Sequence, residues 1–456
     1  MINSKQSISI KDKHIEENKV IPYRNKLTVY LVLFLFASPL TVNAQPIEMS
    51  SYVSRIDQLI QPYVENRVFS GTILVAKEGR IIYNKGVGQA NLSWSIENSA
   101  DTKYGIGSIT KTITATLIMQ LVQERKLKLA DKISQYLPNY PKEKGDLISI
   151  HHLLSHRSGI PNYFKIPGWT NGNFNKSMPL EQFEQVLNNL PLSFPPGETY
   201  MYSNSGYYFL GKIIEGVTGK SLSENLKSRI FIPAGMLDTG LYLNQNIISQ
   251  IATSYQFKKN GHYKETTINR DLFRAAGDLY STAKDLFRFE QALYSERLLS
   301  DETKRIMFSD KNSYGWKNSS LQVGSAEKQI MSYTGQLLGF NSMMTRFIQD
   351  QSSIILVGNI GTSYLERNNL TQEIAKVLFD QNDVVEKTRA SMLLHKAVYE
   401  NNLPQTIKLI DTNRASYRLD EKEMLSLAQQ LTWSGLEQEA TSIRQLVVKL
   451  FQKSPH

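Results

Sequence analysis

Cysteine is absent from all 456 residues. That absence excludes disulfides, thiolate metal sites, a cysteine nucleophile and a lipid anchor on an N-terminal cysteine. Histidine is scarce, seven in all, and no H-E-x-x-H pair occurs among them, which speaks against a zinc hydrolase. Dense basic tracts are missing too. The formal charge is +10, with six Lys/Arg against three Asp/Glu in residues 1–44 and the remainder spread along the chain. A scattered positive charge fits a solvated surface better than nucleic-acid binding, and leaves room for weak association with anionic envelope polymers. With 41% hydrophobic and 21% charged residues, 26 Gly and 15 Pro, the composition is that of a globular protein. Collagen-like, disordered and many-spanning membrane classes are excluded.

What is present begins with a single long apolar run near the N-terminus, Leu27 to Leu40, preceded by Arg24 and Lys26 and followed by Val42-Asn43-Ala44. A positive flank, a short apolar core and small residues at −3 and −1 read as a secretory signal cleaved after Ala44. The run falls short of the ~20 residues that span a bilayer comfortably. Left uncleaved, it would be an anchor. The expectation is a periplasmic or secreted protein with a signal peptide over 1–44.

The mature chain opens with a predicted helix over 47–66, in which Ile56, Ile60 and Tyr63 recur at helical spacing. Gly71–Ala76 and Arg80–Tyr83 flank Lys77-Glu78-Gly79 and read as a β-hairpin. Helices dominate from about 108 to 236; one carries the stripe Leu210, Ile213, Ile214 and Val217 and stops at Gly219. Ser221 and Glu224 form a capping box. Strand patterns return at 329–334, 340–347 and 352–358, with a helix from about 371 to 379. Strands at both ends with helices between predict an α+β fold, a sheet built from the two termini of a domain over 45–380 with an inserted helical part. Residues 381–456 read as a helical extension. Leu425, Ala428, Leu431 and Trp433, then Ala440, Ile443, Leu446, Val447 and Leu450, mark two helices around Gly435. That pair is like one tetratricopeptide hairpin, but a single hairpin cannot form a solenoid, so a cap packed on the main domain is expected.

Three short stretches carry chemistry. Gly107-Ser108-Ile109-Thr110-Lys111 opens an apolar helix, and Ser and Lys at i and i+3 share a face with Cβ atoms about 5–6 Å apart. A helix start supplies N–H groups that stabilise an oxyanion. A serine alcohol needs a base to take its proton, and a lysine serves when burial or a nearby cation lowers its pKa. The second stretch, Tyr202-Ser203-Asn204, lies on a turn before the striped helix and presents a phenol and a carboxamide. The third, Tyr333-Thr334-Gly335-Gln336, ends an apolar strand and offers a hydroxyl and a backbone N–H. Each alone is weak: S-x-x-K arises by chance, and a Tyr at a helix start is more often an anchor.

Their order and spacing resemble the penicillin-recognising serine hydrolases, and within them the class C β-lactamase, D-Ala-D-Ala carboxypeptidase and family VIII esterase group. His152–Pro161, Ile232–Thr239 and Ala276–Thr282 are similar to that family as well. The resemblance covers roughly residues 50–380. It implies an antiparallel sheet flanked by helices, an all-helical subdomain and a site at their junction. It also implies Ser108 as nucleophile, Lys111 as its proton-relay partner and Tyr202 as the general base that later protonates the leaving group. Asn204, Tyr333, Thr334, Gly335 and Gln336 would bind substrate, with the N–H groups of Ser108 and Gln336 as the oxyanion hole. No metal or organic cofactor is implied, and His152 and His156 are expected to be structural loop residues.

One position departs from the family pattern. The third motif usually begins with Lys or His, and Tyr333 stands there instead. A phenol brings no positive charge near pH 7. Losing a charge-assisted contact to a substrate carboxylate costs ~1–3 kcal/mol, unless Lys328 or another cation compensates. The leading reading is therefore an exported serine hydrolase that cleaves esters, amides or peptide bonds, with neutral substrates favoured over β-lactams and D-Ala-D-Ala peptides. Its rivals are a catalytically idle envelope protein that kept the fold and a scaffold whose C-terminal helices recruit a partner. Oligomeric state is not legible.

Overall fold

The computed structural model describes residues 45–166, 178–243, 245–257, 263–265, 272–337, 339–381 and 387–451. The run Leu27–Leu40 and the cleavage position after Ala44 lie outside them. No helix among the described residues is long and apolar enough to cross a membrane.

Stretches without polar alternation become strands covered on both faces. The central sheet contains β1 (Gly71–Lys77), β2 (Arg80–Val87), β3 (Lys317–Val323), β4 (Ala326–Leu337), β5 (Phe340–Phe347) and β6 (Ser352–Gly358), in the order β3-β4-β5-β6-β1-β2. All neighbours are antiparallel, and β1 pairs with β6 from Gly71 opposite Gly358 to Ala76 opposite Ser353. The sheet is thus closed between the two sequence ends of the domain, as the pattern of strands predicts. Successive side chains point to opposite faces. Ile73, Val75, Met343, Phe347, Ile354 and Leu356 face α1 (Gln45–Glu65), which contributes Tyr52, Ile56, Ile60 and Tyr63. Leu74, Ala76, Met344, Ile355 and Val357 join the larger core on the other face.

That larger core is built around α2 (Thr110–Gln123), whose residues Thr110 to Leu121 are all buried. A helix enclosed on every side cannot show a clean stripe, and its threonines satisfy their hydroxyls on backbone carbonyls: Thr112 on Ile109, Thr114 on Ala275, Thr116 on Thr112. Packed against it is α3 (Asn204–Thr218), capped by Ser203 and ended by Gly219 in the left-handed region. Ser221 and Glu224 form the full capping box. After α4 (Ala283–Ala292) the chain returns to the sheet, and α5 (Tyr364–Leu378) covers the α1 face, starting earlier than its apolar pattern suggests because Ser363 and Glu366 cap it.

Beyond α5 the described chain holds α6 (Ala390–Tyr399), α7 (Leu403–Thr412), α8 (Glu421–Trp433) and α9 (Glu437–Phe451), with a core of their own that includes Leu394, Ile410, Met424, Leu427, Leu431, Ile443 and Leu446. They form two hairpins rather than one. The stripe of α8 also differs from the expected one: Leu425 and Trp433 are exposed, and Met424 and Leu427 fill the interior.

Candidate active site

The register between β3 and β4 stops at Lys317 opposite Ser332. Past that point Tyr333, Thr334, Gly335 and Gln336 line a cleft of about 1040 Å³ together with Ser108, Tyr202 and Asn204. Ser108 sits in a single 3₁₀ turn, Gly107–Ile109, immediately before α2. Two glycines allow this turn to touch β4. A Cβ on Gly107, whose φ is +51°, would lie 2.6 Å from the Gln336 nitrogen, and one on Gly335 would lie 1.9 Å from the Ile106 oxygen. Ser342 Oγ ties the same Ile106 carbonyl to β5 at 2.8 Å. The Gln336 backbone therefore lies against the residue preceding Ser108, the arrangement that an oxyanion hole from the Ser108 and Gln336 N–H groups requires.

The predicted trio comes together. Tyr202 OH is 2.6 Å from Ser108 Oγ, and Lys111 Nζ donates to Ser108 Oγ at 3.1 Å. Lys111 is fully buried, its Nζ also bonded to Asn204 Oδ1 at 2.7 Å and to the Ala276 carbonyl. No carboxylate among the described residues pairs with it, and burial holds its pKa well below the usual lysine range. Nζ thus faces three oxygens, and a neutral amine that gives its two N–H groups to the carbonyl oxygens of Asn204 and Ala276 would turn its lone pair to the Ser108 hydroxyl. Tyr202 moves the other way. Burial raises its pKa although the Ser108 and Tyr333 hydroxyls lower it, so the phenol stays protonated. Its OH also donates to Asn204 Oδ1 at 3.3 Å. Asn204 itself, 4% exposed, reaches Asn162 Oδ1 through Nδ2 at 3.3 Å and holds Lys111 from the interior side. Thr334 lines the cleft beside them.

Several partners carried no signal in the sequence. The Ala276 carbonyl and Asn162 fix Lys111 and Asn204, yet a backbone oxygen has no side-chain signature and Asn162 sits just past the His152–Pro161 stretch. His152 and His156 differ from each other. His152 closes a capping box with Ser149. His156 is wrapped around Tyr202: its carbonyl accepts from Met201 N–H at 2.8 Å and its Nδ1 from Ser203 N–H at 3.2 Å. Its ring lies 4.6 Å from that of Tyr202 and 5.0 Å from that of Tyr207. Lys328 does not serve the cleft, because it pairs with Asp350 at 2.7 Å. The cations that do line it are Arg157, Lys311, Lys317 and Arg367.

Comparison with known proteins identifies the family. A family model described as Beta-lactamase matches residues 56–379. Penicillin-binding protein 4* of Bacillus subtilis is 31% identical over 329 residues, covering 67% of this chain and 71% of that protein. The teichoic acid D-alanine hydrolase of Staphylococcus aureus is 24% identical over 318 residues, covering 70% and 77%. Among solved structures, a D-amino acid amidase from Ochrobactrum anthropi superposes with a TM-score of 0.63 at 24% identity, over 72% of this chain and 99% of that one, and so shares its fold. The chain belongs to the Beta-lactamase family of serine hydrolases.

Proposed function

We propose that the protein is an exported hydrolase that opens an ester or amide bond through an acyl-enzyme on Ser108. The observation that carries this reading is Ser108 Oγ held between Tyr202 OH at 2.6 Å and Lys111 Nζ at 3.1 Å. Neutral Lys111 takes the Ser108 proton as Oγ attacks the carbonyl, and the N–H groups of Ser108 and Gln336 receive the developing oxyanion. Protonated Tyr202 gives its proton to the leaving group, leaving a phenolate near the Lys111 ammonium. In the second half the phenolate takes a proton from water, the hydroxide attacks the acyl group, and Ser108 recovers its proton from Lys111. Every proton is accounted for without a cofactor. The opposed shifts of Lys111 and Tyr202 favour this division over one in which Tyr202 is the first base.

Tyr333 gives the substrate preference its direction. Burial raises its pKa, so its phenol brings no charge and the acyl groups favoured here are neutral at that position. The names of the relatives direct substrate screening toward D-aminoacyl esters and amides. Export rests on the N-terminal pattern and places the mature protein, from Gln45, in the periplasm or outside the cell.

The test is covalent. Intact-mass analysis after a fluorophosphonate or a fluorescent penicillin is expected to place one adduct on Ser108, and Ser108→Ala to remove both adduct and turnover with an unchanged melting curve. Turnover near wild type in that variant overturns the assignment. A chain that neither labels nor turns over any ester or amide leaves the idle envelope protein as the answer.

A further inference from the structure

The family match ends at residue 379, so nothing in it accounts for α6 to α9. One wall of the cleft nevertheless depends on them. The first turn of α5 faces the cleft with Tyr364, 53% exposed, and Arg367. The loop leading into that turn is held from several sides. Asn341 Nδ2 donates to the Ile360 carbonyl, Gly361 N–H to the Tyr255 carbonyl at 3.0 Å, and Thr362 Oγ1 to the Val68 carbonyl at 2.7 Å. One hold comes from the extension: Gln430 Nε2 on α8 donates to the Gly361 carbonyl at 2.6 Å. Arg367 in turn bonds the Thr362 carbonyl, so loop and wall move together.

A second level of contact lies further along the same two helices. Asn369 Nδ2 on α5 donates to Glu423 Oε1 on α8 at 3.0 Å. Glu423 belongs to a buried cluster with Arg389, Glu373 of α5, Ser391 and the flanking Arg418, and Tyr63 of α1 donates to Glu373 at 2.7 Å. Two carboxylates face two guanidinium groups, so the cluster is balanced in charge and has every reason to hold one geometry. It clamps α8 to α5 while Gln430 reaches past it to the loop.

We propose that the C-terminal helices are a positioning element of the active site: through Gln430 they fix the Ile360–Arg367 wall, and so set the fit of substrates large enough to reach it. Small acyl groups that fill only the space around Ser108 do not sense the wall. This inference rests on the hydrolase reading of Ser108.

The experiment uses the full mature chain with Gln430→Leu, which keeps the size and removes the donor, and Gln430→Lys, which restores one. For a bulky neutral p-nitrophenyl ester the Leu variant is expected to raise KM at least about fivefold with kcat within about twofold, while p-nitrophenyl acetate is unaffected and the Lys variant returns toward wild type. A merely structural role would instead lower the active fraction, counted by Ser108 labelling, and scale all substrates alike. Hydrogen exchange over 360–368 is read in parallel and is expected to quicken in the Leu variant only. Unchanged exchange, or equal KM for the bulky substrate in wild type and Gln430→Leu, overturns the proposal. If wild type neither labels nor turns over, the hydrolase reading fails, and the exchange comparison still decides whether Gln430 positions the wall.

Discussion

Lowering the pH from 7.5 to 5 tests the packing under Tyr202 through one residue, His156. The imidazole is 7% exposed, accepts a hydrogen bond from Ser203 on Nδ1, and lies against Tyr202 and Tyr207. Burial first, and then Lys111 in its protonated form, push its pKa down to about 3. In the unfolded chain the same group titrates near 6.5. The folded protein therefore refuses a proton that the unfolded chain accepts. The stability this group contributes is present in full above about pH 6.5 and is lost as the pH falls toward 3. Each pH unit inside that window is worth up to about 1.4 kcal/mol, so at pH 5 the loss is about 2 kcal/mol relative to pH 7.5. His151 and His152 are also shifted down and add to the wild-type slope, so the informative quantity is a difference. His156→Gln retains an acceptor for Ser203 and removes the titration. Urea unfolding at both pH values, followed by tryptophan fluorescence, is expected to show wild type losing about 2 kcal/mol more than His156→Gln. The His156 ring resonance in selectively labelled protein should stay that of neutral imidazole down to about pH 4. A difference under about 0.5 kcal/mol, or a resonance that titrates near 6.5, would refute the argument that burial keeps this ring uncharged.

Three further outcomes follow from the site. Because neutral Lys111 is the active form, kcat/KM for a neutral ester should climb with pH and level off below the ordinary lysine range; a profile still rising at pH 10.5 would place the base elsewhere. Tyr202→Phe should cut turnover by at least ~10²-fold and let acyl-enzyme accumulate, seen by intact mass during turnover, whereas a loss below tenfold would mean that Lys111 alone carries the protons. Wild type should prefer neutral acyl substrates over carboxylate-bearing analogues, and Tyr333→Lys should shift that ratio by roughly ten- to thirtyfold toward the carboxylate, with a neutral ester followed alongside to detect misplacement of Thr334 and Gln336.

How much of this was legible depended on where each signal resides. Strands β1, β5 and β6 were readable because both faces are buried, which makes their apolar runs continuous. Strand β3, Lys317–Val323, escaped notice because an edge strand keeps polar residues such as Asn318, Ser319 and Ser320. In α8 the stripe was half legible: Ala428 and Leu431 are buried as expected, but Leu425 and Trp433 point outward, because apolarity alone does not fix a face. At the site, Ser108, Lys111, Tyr202, Asn204 and Gln336 were legible from order and spacing, whereas the Ala276 carbonyl was not, because it acts through backbone. The clamp between α5 and α8 was hidden for another reason: Arg389, Glu373 and Glu423 pair over distances that no short motif spans.

The absence of a cation at position 333 becomes intelligible once the source of Lys111's low pKa is considered. A base next to a serine can be kept neutral by a neighbouring positive charge or by burial. Here burial is the dominant cause, because α2 is enclosed on every side and Lys111 pairs with no carboxylate among the described residues. A second cation is then unnecessary for the base. In the proposed mechanism Tyr333 would still serve the other half of the proton path, since its hydroxyl lowers the pKa of Tyr202 and would ease the phenolate that forms when the leaving group departs. The same phenol gives up the attraction for a substrate carboxylate at that position. On the proposed mechanism, acid–base function and substrate charge preference, which one lysine would couple, are separated in this chain: the first follows from the depth of α2 in the core, the second from a single side chain at the end of β4. Tyr333→Lys should therefore move selectivity far more than it moves the pH at which the neutral ester is cleaved. If the two shift together, the charge at position 333, and not burial, governs Lys111.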